Sequence, residues 1–202
     1  MYNSAVGERQ HPDQRRQSLL EATARCLAAR GAAGVSVRAI CAEAAVSPGL
    51  LRHYFAGVSD AIAETYRWTG ARVARALDEA VAAAGPEPRA RLVAYLTASF
   101  RPPIATGELL ATWLAFWSLT RSDPAIARVH AEIYGEFRHG IERLIGEARP
   151  DLPDARLPAV ALTALIDGLW LELSLGSAPF TPEEASGLAE LWAELWLDRL
   201  LG

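Results

Sequence analysis

The chain has 202 residues, of which 51% are hydrophobic and 22% are charged. This composition is too apolar for a disordered chain, and the length suits one large domain or a small domain joined to a larger one. The segment from Met1 to Gln10 is polar and lacks the apolar stretch of a secretory signal. The apolar run from Leu157 to Ile166 ends at Asp167 after ten residues, about half of what a bilayer needs. We therefore expect a cytoplasmic protein with no membrane partner.

Charge is divided unevenly along the chain. Residues 1–60 carry a net charge of +2, whereas residues 61–202 carry a net charge of −6. A basic head on an acidic body is typical of a protein that offers one end to a polyanion and keeps the rest away from it.

Helical periodicity runs through the whole sequence, and no alternating strand pattern bounded by turn residues occurs, which predicts an all-α fold of about nine helices. The first predicted helix ends at Gly31. The apolar face of that helix consists of Leu19, Leu20, Thr23, Cys26 and Leu27. Ser36 can cap a short second helix, and Ser47 followed by Pro48 begins a short third one.

The rest of the chain predicts longer helices separated by proline, glycine and capping residues. Thr181 and Glu184 form a capping box at the start of the last one. The predicted ranges are 61–84, 88–99, 107–121, 124–148, 155–176 and 182–201.

Three helices in the first 55 residues, with a tight turn between the short second and third, outline a helix-turn-helix. The run from Val35 to Phe55 resembles the DNA-binding signature of the TetR family of repressors. This resemblance implies a DNA-binding domain over residues 1–60 and a helical ligand-binding and dimerisation domain over residues 61–202. It further implies a homodimer that binds palindromic operator DNA and is released by a small-molecule effector.

The candidate DNA contacts lie on the second and third helices, because only the major groove admits an α-helix and shows a distinct pattern for every base pair. Arg52 can donate two N–H groups to guanine, and His53 can donate to a base or a phosphate. We expect an inner face of Leu50, Leu51 and Phe55 to pack against Val37, Ile40 and Leu27. The predicted DNA-binding residues are Ser36, Val37, Arg38, Ser47, Pro48, Gly49, Arg52, His53 and Tyr54.

The signature departs from the family pattern at two positions. Ala45 stands where the turn usually has glycine, so a positive φ there would strain the backbone by about 1 kcal/mol. Val58 stands where a phosphate-contacting lysine is common. Arg9, Arg15 and Arg16 ahead of the first helix are expected to compensate electrostatically.

Two later segments, 112–117 and 164–170, are similar to segments of BetI-type proteins, the choline-responsive repressors of this family. Trp113, Phe116 and Trp117 fall on one helical face. Core packing is one interpretation of these rings, and an aromatic cage for a quaternary ammonium is the other.

Asp167 lies in an otherwise apolar helix, so its carboxylate needs an arginine, hydrogen-bond donors or a cationic ligand, and the sequence leaves these alternatives open. The predicted ligand-binding residues are Trp113, Phe116, Trp117, Tyr134, Asp167 and Trp170.

A stripe of small residues and an apolar face predict that the last two helices form a four-helix dimer interface with their symmetry mates. The alternative is that both faces complete the core of a monomer. The predicted interface residues are Ala161, Ala164, Gly168, Leu188, Leu191, Trp192 and Leu195.

Two rival functions are a small helical metal-binding enzyme and a helical protein-interaction adaptor. Glu136 and His139 match the Glu-x-x-His spacing of di-iron bundles, but such a site needs a second copy. Cys26 and Cys41 are too few for a structural metal site or a disulfide framework. We therefore expect no cofactor, no metal and no catalytic residue.

Overall fold

The computed structural model describes residues 12–198, and all regular structure in that range is helical. The all-α prediction is confirmed, and the described range contains nine α-helices. They are α1 (Pro12–Arg30), α2 (Val37–Glu43), α3 (Pro48–Tyr54), α4 (Val58–Ala83), α5 (Pro88–Ala98), α6 (Gly107–Leu119), α7 (Pro124–Ala148), α8 (Arg156–Ser174) and α9 (Pro182–Asp198).

The helix boundaries differ from the predicted ones mainly at α1 and α4. Since α1 begins at Pro12, Arg15 and Arg16 lie inside it, and the prediction that they precede it was wrong. Arg16 forms an ion pair with Glu64, and its guanidinium lies 5.7 Å from the ring centre of Phe55. Arg9 lies outside the described residues.

The N-terminus of α4 lies three residues before the predicted start. The Asp60 carboxylate accepts a 2.8 Å hydrogen bond from the amide of Ala56, which stabilises a first turn beginning at Val58. At the other end of the chain, the predicted capping box at Thr181 and Glu184 is confirmed, because each side chain accepts a hydrogen bond from the other residue's amide.

A small hydrophobic cluster holds α1, α2 and α3 together, and we call it the head cluster. Its buried members are Leu19, Leu20, Ala22, Ile40, Cys41, Leu51, Phe55 and Ala61. Leu27 belongs to the larger body cluster instead, and α1 also packs on α4 and α6. Leu50 is only half-buried, so the predicted packing was wrong at these two positions.

Helices α4 and α7 run parallel and side by side. Ser59 donates a hydrogen bond to Asp123, the Tyr66 hydroxyl lies 3.0 Å from His130 Nδ1, and Arg67 pairs with Glu132 at 3.4 Å. The sequence separations of 64, 64 and 65 residues keep one register along both helices. They approach closely at Gly70, where a Cβ atom would lie 2.7 Å from Ile133 Cδ1.

The α8 helix is long and apolar enough to cross a bilayer, with 19 residues and a mean hydropathy of 1.4. It packs instead against α6, α7 and α9. One face contributes Leu162 and Ile166 to the body core, and another leaves Leu157 and Leu175 more than half exposed. The high hydropathy therefore comes from two apolar faces, one in the core and one on the surface.

The turn between α2 and α3 places Ala45 in the left-handed backbone conformation, which strains any residue other than glycine. Ala45 has φ = 53°, and among the described residues it is the only non-glycine residue with positive φ. Its amide donates to Ala42 O, and the amide of Val46 donates to Cys41 O at 2.9 Å. These two bonds form a Schellman motif, which requires a left-handed residue after the helix.

We expect Ala45→Gly to raise the free energy of unfolding by about 1 kcal/mol and Tm by about 2–4 °C, because glycine adopts positive φ without steric penalty. Thermal and urea unfolding measure the change. Ala42→Gly, at an exposed position inside α2, is the control and should lower stability by about 1 kcal/mol. A loss of stability in Ala45→Gly would show that the turn carries no strain.

Candidate nucleic-acid interface and ligand cavity

The α3 helix is held from behind by the head cluster and capped at its start. Ser47 accepts a hydrogen bond from the amide of Leu50 at 3.3 Å, and Pro48 occupies the first helical position. Leu51 and Phe55 are buried on its inner side. Ser36 caps α2 in the same way, accepting from the amide of Ala39 at 3.1 Å. Both short helices therefore present capped N-termini on a rigid support.

Most of the predicted DNA contacts lie on the outer surface of this unit. Two of the nine are half-buried instead, since Val37 and Tyr54 pack against the head cluster. Arg38 and Arg52 form no ion pair with any residue in 12–198, so both guanidinium groups can bind another partner. The exposed residues are Ser36, Arg38, Ser47, Pro48, Gly49, Arg52 and His53.

A cavity of about 280 Å³ lies in the body between α4, α5, α6, α7 and α8. Its wall is mostly aromatic and aliphatic, with a few polar groups, as is usual for small-molecule sites. The lining includes Ala74, Leu77, Tyr95, Trp113, Tyr134, Phe137, Asp167 and Trp170.

The hydroxyl of Tyr134 joins three helices at one side of the cavity. It accepts hydrogen bonds from the indole Nε1 atoms of Trp113 at 3.2 Å and Trp117 at 2.9 Å. It donates to Oδ1 of Asp167 at 3.1 Å. The rings of Trp113 and Trp170 meet edge to face at 5.7 Å. Asp167 therefore lies beside a group of aromatic rings whose polar atoms already have partners.

Asp167 has one neutral hydrogen-bond donor and no ion pair with another described residue. Burial raises the pKa of Asp167 to about 6, although the hydrogen bond from Tyr134 and the charge of Arg138 act in the opposite direction. A carboxyl with a raised pKa makes the folded state less stable as pH rises from about 4 to 6. Ionised Asp167 is thus an incompletely compensated negative charge on the wall of the cavity.

The structure brings together four of the six predicted ligand-binding residues, namely Trp113, Tyr134, Asp167 and Trp170. Phe116 does not reach the cavity, because it is fully buried and stacks on Tyr66 at 4.1 Å. Trp117 also lies outside the lining and acts through its hydrogen bond to Tyr134. For these two rings, packing in the wall is the interpretation that the structure favours.

Several residues of the cavity were not predicted from the sequence. Tyr95 and Phe137 stack at 5.5 Å, and Leu77 faces the same space from α4. Nothing in their spacing separates them from ordinary core residues. Gly70, a glycine inside the long α4, was the one available signal, because such a residue suggests a close approach between helices.

Exposed apolar side chains are concentrated on α8 and α9. Of the seven large hydrophobic residues more than 36% exposed in the described range, six belong to these two helices and the seventh, Leu175, is the C-cap of α8. Leu191 is 53% exposed and Trp192 is 41% exposed on α9, and Ala164 and Gly168 are exposed on α8. Of the other predicted interface residues, Leu188 is exposed, and Ala161 and Leu195 are half-buried.

These features agree with comparisons against known proteins. Residues 19–58 match the family described as bacterial regulatory proteins, tetR family, and residues 88–201 match that described as BetI-type transcriptional repressor, C-terminal. The HTH-type transcriptional regulator BetI of Burkholderia thailandensis is 34% identical over 185 residues, which span 91% of this chain and 93% of that protein. The chain belongs to the TetR family of bacterial transcriptional regulators, in its BetI-type branch, and is not an enzyme.

Solved structures share the same fold. A transcriptional regulator from Pseudomonas aeruginosa PAO1 is 40% identical, with a TM-score of 0.86 over 95% of this chain and 94% of that one. A transcriptional regulator from Saccharomonospora viridis, solved in complex with choline, is 24% identical, with a TM-score of 0.77 over 90% of this chain and 96% of that one.

We expect Tyr134→Phe to raise the pKa of Asp167 above about 6, because it removes the hydrogen bond that stabilises the carboxylate. It should also lower the free energy of unfolding by about 1–3 kcal/mol, since two buried indole N–H groups lose their acceptor. Carboxyl ¹³C NMR titration and urea unfolding measure the two effects. Tyr95→Phe, which removes a hydroxyl bonded only to Phe137 O, is the control. An unchanged Asp167 pKa in Tyr134→Phe would contradict the assigned network.

Proposed function

We propose that this regulator is a cytoplasmic repressor that binds palindromic operator DNA as a homodimer and is released by a cation bearing a quaternary ammonium group. Residues 1–60 form the DNA-binding domain, and residues 61–202 bind the effector and dimerise. The observation that carries the effector assignment is the ionisable Asp167 beside the Trp113 and Trp170 rings in the cavity wall.

DNA binding rests on the outer edge of α3. Arg52 projects from the last turn of α3, exposed and without an ion pair to a described residue, which leaves it free for bidentate contact with guanine in the major groove. Arg38 and the capped N-terminus of α2 suit a phosphate contact, which positions the protein without reading sequence. The net charge of +2 over residues 1–60 favours a polyanion at this end.

Homodimer formation is supported by the apolar surface of α8 and α9. A patch with Leu157, Leu191 and Trp192 exposed would be unusual on a monomer. When the same face of a second copy covers this patch, α8 and α9 of both copies form an isologous four-helix interface. A twofold dimer presents two copies of α3 to half-sites about one DNA turn apart, which matches a palindrome.

The effector assignment rests on charge and aromatic faces. Aromatic rings attract a quaternary ammonium through their quadrupoles. Ionised Asp167 supplies the counter-charge, and the cation needs no hydrogen-bond acceptor because it has no N–H group to donate. Tyr134 keeps the carboxylate in place. The choline complex of the Saccharomonospora viridis regulator, and the BetI name of the Burkholderia relative, support a ligand of this class.

Effector binding can reach the DNA-binding domain through α7 and α4. Tyr134 and Phe137 place α7 in the cavity wall, and the paired contacts from Ser59 to Arg67 tie α4 to α7 in one register. A shift of α7 therefore shifts α4, which begins four residues after Tyr54. In the dimer this changes the distance between the two copies of α3, so the operator spacing is lost.

We expect Arg52→Ala to weaken operator binding by about 1–3 kcal/mol and to relax the preference at one base position. Binding to a set of single-base operator variants measures both effects. Arg38→Ala is the matched variant, and it should weaken binding to all sequences alike and reduce the salt dependence. An unchanged base preference in Arg52→Ala would remove Arg52 from the base-reading residues.

We expect Leu191→Glu to convert dimers to monomers, because it places a charge in the centre of the apolar surface. Sedimentation velocity measures the mass of the particle. The variant should also bind a full operator no more tightly than a half operator, because a monomer uses only one half-site. Ala82→Glu, at an exposed position on α4, is the control. A dimer that persists in Leu191→Glu would place the interface elsewhere.

We expect choline to weaken operator binding, and operator to weaken choline binding by the same factor. Asp167→Asn should reduce choline affinity by about tenfold or more. In the unmodified protein choline affinity should fall below pH 6, because Asp167 is protonated there. In Asp167→Asn this fall should be absent. Isothermal titration between pH 5 and 8 tests this, with Glu79→Gln on the exposed side of α4 as control. Equal choline affinity with and without operator would refute the coupling.

A further inference from the structure

We propose that the effector is an amphiphilic cation, in which the ammonium headgroup carries an uncharged apolar tail that fills the far end of the cavity. This inference rests on the ammonium-binding function proposed above and concerns what is attached to the headgroup. We call the far end the tail pocket and define it by four lining residues, which are Ala74, Leu77, Tyr95 and Phe137.

The size of the cavity indicates a ligand larger than the headgroup. The cavity measures about 280 Å³. An apolar cavity of about 150 Å³ is sufficient to bind benzene, and choline is only slightly larger than benzene. A choline-sized cation would leave room for about four more carbon-sized groups at the same packing.

The two ends of the cavity differ in polarity. Asp167 and Tyr134 mark the headgroup end, and Phe137 lies one helical turn further along α7. At that turn the Tyr95 hydroxyl donates to Phe137 O at 3.3 Å, and the Tyr95 ring stacks on the Phe137 ring. With its one polar side-chain group already bonded, the tail pocket offers a ligand mainly aliphatic and aromatic surface.

The charges around the cavity disfavour an anionic tail. Arg67 at the rim is shared between Glu64 at 3.0 Å and Glu132 at 3.4 Å, so its charge is already compensated. Glu136 also lines the cavity and adds negative charge. Arg138 acts by its charge on Asp167 at the headgroup end and does not line the cavity. A tail carboxylate would therefore meet no unpaired cation in the cavity lining, whereas an alkyl or aryl tail loses only its contact with water.

The test is a series of trimethylammonium ions with growing tails, titrated calorimetrically into the full chain. The members are tetramethylammonium, choline, and the butyl, hexyl and decyl compounds. Affinity should rise about fourfold for each methylene, so the butyl compound binds about 60-fold tighter than tetramethylammonium and the hexyl compound binds tighter still. Affinity should stop rising between the hexyl and decyl compounds, because a tail of about seven carbons fills the cavity.

Filling the tail pocket provides the matched variant. Ala74 is exposed but lines the tail pocket, so Ala74→Leu adds three carbon atoms at its wall and the affinity ratio of the butyl compound to tetramethylammonium should fall by about tenfold. Ala82→Leu makes the same change on an exposed part of α4 outside the cavity lining and should keep the unmodified ratio. The ligand series on the unmodified chain decides the question even if Ala74→Leu does not fold.

The outcomes separate this inference from the proposed function. If choline binds as tightly as the butyl compound, the tail is overturned while the ammonium effector stands. If 1-butanol binds as tightly as butyltrimethylammonium, or if no member of the series binds, the cationic effector and the tail are both overturned. Operator binding by the same samples then shows whether the DNA-binding function remains.

Discussion

The arrangement of the body depends on one phenolic oxygen. Tyr134 Oη accepts from Trp113 and Trp117 on α6 and donates to Asp167 on α8, so α6, α7 and α8 meet at a single atom. A hydroxyl is suited to this position because it can accept and donate at once. The bond leaves Asp167 ionisable but poorly compensated, and it keeps the aromatic rings around the carboxylate in fixed positions.

The same helix that carries this oxygen also connects the cavity with the DNA-binding end. Ser59, Tyr66 and Arg67 bind partners on α7 in constant register, so α4 and α7 form a parallel pair that should move together. The head cluster is separate from the body cluster, and α1 and α4 contribute to both. This arrangement supports the proposed coupling, since packed helices shift as units more readily than they deform.

Surface hydrophobicity has a different origin from core hydrophobicity in this protein. The length and hydropathy of α8 would suit a membrane segment, yet one of its apolar faces packs on α6, α7 and α9. The remaining apolar face joins Leu191 and Trp192 of α9. The homodimer proposed above accounts for this surface in a chain whose body is otherwise acidic.

The sequence by itself determined the all-α class, the helix-turn-helix and the family, because periodicity, caps and turn residues are local signals. It marked Ala45 as a position that a positive φ would strain, and the structure gave that φ. It also indicated Asp167 as a residue that needs a partner. Only the tertiary structure decided that Tyr134 is that partner, that Phe116 is core, and that Tyr95 and Phe137 line the cavity. Those outcomes depend on which faces of distant helices meet, and helical spacing within one segment carries no information about that.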